Sequence, residues 1–203
     1  MTLSHAHLPQ ENPFATRSVR PGALAYLFPP GEKISGLVEK LRAHDWCGEI
    51  IGPHGAGKST LLAALIPELE AAGRQVVVGR LGVGEHRVPS EILAARPWSS
   101  SMLIVVDGYE QLGWCRQQVL RRRCQSAGCG LLVTAHAATG LPLLAELAPT
   151  RETVERVVAA LLARSPGAIS PAEIEQAFAR HGENVREMLF ELYDRYEAHR
   201  RSC

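Results

Sequence analysis

The sequence is short of lysine, of aromatic residues and of net charge. Of its 22 basic residues only Lys33, Lys40 and Lys58 are lysines, which leaves nineteen arginines. A formal charge of +1 offers no global attraction to nucleic acid or anionic lipid, so any basic surface must be local. No apolar run approaches the roughly 18 residues a membrane-spanning helix requires, and the opening Met1-Thr2-Leu3-Ser4-His5-Ala6-His7 lacks the charged and apolar regions of a secretory signal. The expectation is a soluble, cytoplasmic protein with no membrane partner. Five cysteines, Cys47, Cys115, Cys124, Cys129 and Cys203, form no Cys-x-x-Cys pair and no ligand spacing with histidine. Their odd number points to free thiols. What the chain does have is length and apolar content: 203 residues, 46% hydrophobic, enough for one ordinary domain plus a small appendage.

One stretch organises the rest. Gly52-Pro53-His54-Gly55-Ala56-Gly57-Lys58-Ser59-Thr60 fits G-x-x-x-x-G-K-[ST], the phosphate-binding loop known as Walker A. Glu49-Ile50-Ile51 ahead of it reads as the end of a buried strand, and Leu61, Leu62, Leu65, Ile66 and Leu69 behind it recur at helical spacing. Glycines let successive backbone N–H groups curl around phosphate oxygens with no Cβ in the way. The helix start adds unpaired N–H groups and its positive dipole end. Lys58 is placed to reach the terminal phosphates and the Ser59 hydroxyl to ligate Mg²⁺. Keeping an ammonium here, in a chain that otherwise favours arginine, suits a compact point charge facing a phosphate.

Residues 1–20 show no periodicity and are expected to be a flexible or draped segment. Residues 21–31 are apolar with proline at both ends, an extended strap in which Tyr26 or Phe28 either lines an adenine pocket or simply covers the core. Ile34, Leu37, Val38 and Leu41 mark one amphipathic helix. The helix after the phosphate loop is expected to end at Gly73, with a kink or early break at Pro67. Strands are expected over 75–81, 102–107 and 131–136, with a weaker fifth at 143–147, and helices near 90–95 and 111–125. Continuous apolar strands alternating with helices mean a parallel sheet covered on both faces, with ligands at the carboxyl ends of its strands. From Thr150 only helices follow, with Ser170-Pro171-Ala172-Glu173 a capping-box start and Gly182 a stop. The organisation read from this pattern is 1–20 flexible, 21–149 nucleotide-binding and 150–203 a helical lid.

The apolar run Leu103–Val106 closed by Asp107 matches Walker B, whose carboxylate anchors Mg²⁺ directly or through water. Hydrolysis also needs a group that orients or deprotonates water. Gly108 follows the aspartate, so Glu110 is the candidate, with Glu85 in reserve. Thr134 and His136 fall where a sensor of the γ-phosphate would project. No acid occurs between Gln111 and Ala145, while Arg116, Arg121, Arg122 and Arg123 do. That pattern is either a solvated face or a surface for nucleic acid or for a partner's nucleotide. No Asn-Lys-x-Asp tetrapeptide for guanine is present, which favours ATP.

At these motifs the chain resembles the P-loop NTPases of the additional-strand class, and within them the AAA+ and NACHT/STAND ATPases. Asp107-Gly108-Tyr109-Glu110-Gln111-Leu112 is similar to the NACHT variant of Walker B. Gly182-Glu183-Asn184-Val185-Arg186-Glu187 resembles the G-N-x-R-E opening of a lid helix, with Glu183 intruding in the spacing. That resemblance implies a sensor arginine at Arg186; a surface pairing near the helix start is the alternative. Asn12-Pro13-Phe14 is similar to a segment of small secretion- and transposition-associated AAA+ ATPases. Thr134-Ala135-His136 looks like the H-loop of ABC ATPases, but no L-S-G-G-Q signature accompanies it. The resemblance implies a three-layer α/β fold with a mostly parallel five-stranded sheet and a small C-terminal helical lid. It implies an ATP- and Mg²⁺-dependent, slow ATPase whose nucleotide state moves the lid and controls a protein partner or self-assembly. The competing expectations are a small-molecule kinase, with Arg121-Arg122-Arg123 as its flap, and a switch that binds nucleotide without turnover.

Overall fold

The computed structural model describes residues 11–29, 31–163 and 169–202. A short α1 (Thr16–Val19) precedes α2 (Ile34–Ala43), which buries Leu37, Val38 and Leu41 along one stripe. Strands and helices then alternate: β1 (Cys47–Ile51), α3 (Lys58–Ala71), β2 (Gln75–Arg80), α4 (Ser90–Ala94), β3 (Met102–Asp107), α5 (Trp114–Ala127), β4 (Gly130–Ala135) and β5 (Leu143–Glu146). Three helices follow: α6 (Arg151–Leu162), α7 (Pro171–His181) and α8 (Val185–Ser202).

The sheet runs β2-β3-β4-β1-β5, and every pairing is parallel, not merely most of them. Strand β4 lies between β1, which feeds the phosphate loop, and β3, which ends in Asp107. This insertion is the additional strand the resemblance called for. Ile51 registers with Ala135 and Val106 with Val133, so the carboxyl ends of all three strands open at one edge. Both faces are covered. Leu61, Leu65 and Leu69 of α3 join Leu37 and Leu41 of α2 against Ile50, Leu103 and Val105. Leu120 and Cys124 of α5, with Ile92 of α4, close over Ile104, Val106, Leu131 and Val133. Burying each such aliphatic side chain contributes about 1.5–3 kcal/mol.

The three C-terminal helices have their own apolar centre, where Val154 and Val158 of α6, Ala177 of α7, and Met188, Leu192 and Tyr196 of α8 meet. Its helix starts follow the expected chemistry. Thr150 accepts from the Thr153 amide, and Ser170 and Glu173 form a full capping box.

Several expectations are corrected. Residues 1–10 lie outside the described residues; of the segment expected to be flexible or draped, residues 12–14 are anchored on the C-terminal helices. Phe14 is only 1% exposed inside the lid core, edge-on to Tyr196. The Asn12 side-chain amide donates to Tyr193 O and to Glu197, and its carbonyl accepts from the Phe14 amide. Helix α3 passes through Pro67 unbroken; that residue faces solvent, where the carbonyl it leaves unpaired stays accessible to water. Helix α5 starts at Trp114 rather than Gln111. A 3-10 turn, Tyr109–Gln111, comes first, because Tyr109 and Leu112 both drop into the core from it. Helix α8 begins at Val185, three residues past Gly182. Cys47, Cys115, Cys124 and Cys129 are free thiols, and Cys203 lies outside the described residues. Among the described residues, no helix is long and apolar enough to cross a membrane.

Candidate functional site

The carboxyl edge of the sheet, the strap 21–29 and the start of α8 enclose one cleft of about 1430 Å³. His54 to Leu61 form its floor. Gly55 and Gly57 adopt left-handed φ angles of +72° and +95°, so the loop curls as a side-chain-bearing residue would resist. A Cβ on Gly52 would stand 2.5 Å from Leu147 O, so that glycine is required by the strand beside it as well. Lys58, Ser59 and Thr60 open α3 and line the cleft. The Lys58 ammonium donates to Gly52 O at 2.6 Å and to Pro53 O at 2.7 Å, bracing the loop from within. Burial lowers its pKa, against the opposing pull of the Glu110 and Asp107 carboxylates.

Asp107 lies across the cleft. Its Oδ1 accepts from the Thr134 hydroxyl at 2.6 Å, and that hydroxyl accepts from the Gly108 amide at 2.9 Å. Thr134 is 1% exposed and committed to holding Asp107, so its hydroxyl is not a free phosphate sensor. Arg80 Nε stands 4.0 Å from the other carboxylate oxygen, a neighbour no sequence pattern singled out. Gly108 has φ +88°, and a Cβ there would sit 2.5 Å from Leu81 O. A glutamate directly after Asp107 therefore has no room, and the next acid arrives two residues on, from the 3-10 turn.

That acid is Glu110. His136, one residue past β4, places Nε2 3.2 Å from Glu110 Oε1. Glu110 Oε2 is buried and has no hydrogen-bond partner. His54 of the phosphate loop sets its ring edge-on to His136, centroids 3.7 Å apart. Burial lowers the His136 pKa. Glu110 opposes that shift, while Lys58 and His54 add to it. The net shift disfavours the charged imidazolium beside Glu110. Glu85, the reserve candidate, is not at the site; its carboxylate accepts from the Gly82 amide in the exposed loop after β2.

The start of α8 reaches the loop directly. Asn184 Oδ1 lies so close over Gly55 that any Cβ there would collide with it, and Arg186 Cβ would be 3.2 Å away. Asn184 also caps α8 by accepting from the Glu187 amide at 3.3 Å. Arg186 lines the cleft, and its charge contributes to lowering the Lys58 pKa. On the strap, Tyr26 and Phe28 pack edge to face at 4.8 Å, and Tyr26 stands 3.9 Å from a Cβ on Gly57. Burial, with Glu32 nearby, pushes the Tyr26 hydroxyl up to about 12. Arg156 of α6 donates to Phe28 O at 3.3 Å, so strap and α6 are joined at the same wall.

Not every expected residue converges here. Arg121 turns inward, donating to Thr139 O at 2.6 Å, while the Thr139 amide and hydroxyl both donate to the buried carboxylate of Glu49. A flap over phosphates built on Arg121-Arg122-Arg123 is thereby removed. Arg116, Arg122 and Arg123 face solvent on α5, away from the cleft.

Comparison of the backbone with solved structures decides the family of shapes. A point mutant of RuvB from Thermotoga maritima superposes with a TM-score of 0.55 at 16% identity, over 80% of this chain and 59% of that one. The replication initiator DnaA, bound to AMPPCP and single-stranded DNA, gives 0.55 at 15% identity over 82% and 61%. Domain III of the Thermotoga maritima DnaA gives 0.54 at 13% identity over 91% and 88%. The chain has the AAA+ fold. In sequence, 71 residues are 41% identical to the hemin import ATP-binding protein HmuV of Pseudomonas aeruginosa, covering 34% of this chain and 28% of that one. No family model matches. The chain thus spans under two thirds of RuvB and just over a quarter of HmuV; what it shares with RuvB is the fold, and with HmuV a 71-residue stretch of sequence.

Proposed function

We propose that this chain is a slow ATPase that binds Mg·ATP in the cleft between sheet edge and lid. The observation that carries the reading is the contact of Asn184 and Arg186 with Gly55, which sets lid and phosphate loop against the same space. Two further features fit a triphosphate and its metal. The glycine cradle leaves the loop amides uncovered by side chains, and the orphaned Glu110 Oε2 has a buried valence that water or ligand would satisfy. Loop amides from Gly52 to Thr60 and the Lys58 ammonium would hold the phosphates, Ser59 and Asp107 the metal, Arg186 the terminal phosphate, and Tyr26 or Phe28 the base. Mg²⁺ would supply positive charge against the phosphate oxygens.

The residues then have distinct tasks. Thr134 fixes the Asp107 carboxylate. His136 Nε2, 3.2 Å from Glu110 Oε1, would hold that side chain against the cleft wall. Glu110 Oε2 is left free to take a proton from an attacking water. His54 limits the swing of the His136 ring. Because Arg186 and Asn184 ride on the lid, nucleotide state would be felt by α8 and, through Phe14 and Tyr196, by the N-terminal segment. That movement is how a protein partner, or a second copy, would be controlled. A non-hydrolysing switch is the second reading, favoured by Gly108 standing where an acid usually follows the Walker B aspartate. Kinase chemistry has no such support, since Arg121 serves the core.

Titration with a fluorescent ATP analogue, with and without Mg²⁺, and single-turnover hydrolysis test this. Lys58→Ala should abolish uptake, while Glu110→Gln should keep uptake and lose turnover by about 10²–10³-fold. Uptake that ignores Mg²⁺ and Lys58 would sink the proposal, and magnesium-dependent uptake without turnover in the parent would select the switch.

A further inference from the structure

The edge of the sheet opposite the nucleotide cleft carries a second groove, of about 720 Å³, that the ATPase reading leaves unused. Arg96, Pro97 and Trp98, which lead into β3, form one wall; Arg122, Arg123 and Ser126 near the end of α5 form the other. Strands β3 and β4 are six residues long, so the groove stands about 20 Å from the phosphate loop. We propose that it binds single-stranded nucleic acid.

Charge is the first argument. Arg96, Arg122, Arg123 and the neighbouring Arg116 are exposed, and among the described residues none has a carboxylate within ion-pair distance. Arg17, Arg42, Arg151, Arg180, Arg195 and Arg200 each have one. Arg116 and Arg123 are seven residues apart on one helix face, so they lie about 10.5 Å apart along it. Guanidinium forks grouped without counter-charge repel one another, and a row of phosphates removes that repulsion while releasing counterions. The acid-free run from Gln111 to Ala145 keeps α5 and the segments after it from supplying the counter-charge internally.

The second argument separates a nucleic acid from an acidic peptide. The Trp98 indole N–H donates to Ile92 O at 3.1 Å, which fixes the ring, and the Arg96 guanidinium carbon stands 5.3 Å from its centroid. Pro97 and Ala127 extend the apolar lining beside it. The half-buried Trp98 ring packs on the sheet core with the Arg96 guanidinium over it, and such an arginine-on-indole stack is a platform on which an unpaired base stacks.

The test is anisotropy of a labelled 20-nucleotide single strand, titrated without nucleotide so that failure of the ATP reading leaves it unaffected. Binding should weaken as salt rises, with a log–log slope near −3 for four arginines. In the Arg122→Gln, Arg123→Gln double variant, both changes on the surface, affinity should fall at least about tenfold and the slope should shrink by about 1.4. Arg96→Ala should weaken binding about fivefold or more, and all variants should keep the parent's melting temperature and basal ATPase. An abasic strand of equal charge should bind at least about tenfold less tightly. Parent-like affinity and slope in the double variant would overturn the proposal. So would an abasic strand or polyglutamate that binds as well as the base-bearing strand, since either would make the groove a site for any polyanion.

Discussion

Thr134 and Asp107 share a 2.6 Å hydrogen bond across adjacent strands, and the same hydroxyl accepts from the Gly108 amide at 2.9 Å. One threonine thus satisfies the first backbone group after β3 and aims the carboxylate that ends it. The candidate metal anchor is positioned by β4, not by its own strand.

Thr134→Val keeps the shape and removes both bonds. The Gly108 amide and one Asp107 oxygen lose their partner, so folding stability should fall by about 1–3 kcal/mol. Denaturant unfolding measures that loss. Magnesium dependence of nucleotide uptake should weaken in parallel, and an unchanged dependence would remove Thr134 from the positioning role.

Gly55→Ala introduces a Cβ that meets Asn184 Oδ1, at a backbone position with φ +72°. The left-handed conformation alone costs about 1–2 kcal/mol, and the collision should push the start of α8 off the loop. Nucleotide affinity should drop at least about tenfold. Asn184→Ser in the same background keeps a helix cap while shortening the side chain, so part of the affinity should return; no recovery would mean that loop strain alone is responsible.

His136 has its folded-state pKa depressed, first by burial and then by Lys58 and His54, against the pull of Glu110. In the unfolded chain it titrates near 6.5. The contribution to stability is therefore whole above that value and is lost as pH falls from there through the lower folded pKa. His136→Gln should flatten the stability profile over this window and reduce turnover, because Glu110 loses the imidazole that stands 3.2 Å from it. Profiles of parent and variant that coincide below about pH 6.5 would remove this coupling.

Phe14→Ala should cost about 3–5 kcal/mol, the usual loss on emptying an aromatic site in a closed core. The loss should concentrate in the lid, seen as lost exchange protection in α8 while β3 and β4 stay protected. Uniform loss over the whole chain would mean that lid and sheet unfold as one unit.

Much of this was legible in order along the chain. Gly52–Thr60 announces itself by spacing, because a phosphate cradle requires glycine where the backbone turns and an ammonium where α3 begins. Leu103–Asp107 announces a buried strand, and Ser170-Pro171-Ala172-Glu173 a helix start, by contacts within four residues. Gly108 read as a missing acid, and only the nearby Leu81 carbonyl shows why no larger residue stands there. Asn12-Pro13-Phe14 fell in a segment read as flexible or draped, and what it docks on was not legible because its partners, Tyr193, Tyr196 and Glu197, lie at the other end of the chain. Arg121 shared a charge run with Arg122 and Arg123, yet its tie to Thr139 and Glu49 makes it part of the interior.

Local chemistry, then, was written in the residues themselves: the phosphate loop, the strand ending in Asp107 and the capped helices follow from interactions between near neighbours. Which groups meet was decided by the folded chain. Inserting β4 between β1 and β3 brings Thr134 to Asp107 and His136 to Glu110 and His54, and lid packing sets Asn184 on Gly55. The physical reason is that spacing encodes periodicity and turn geometry, whereas encounters between distant segments depend on sheet order and on which apolar faces close over one another.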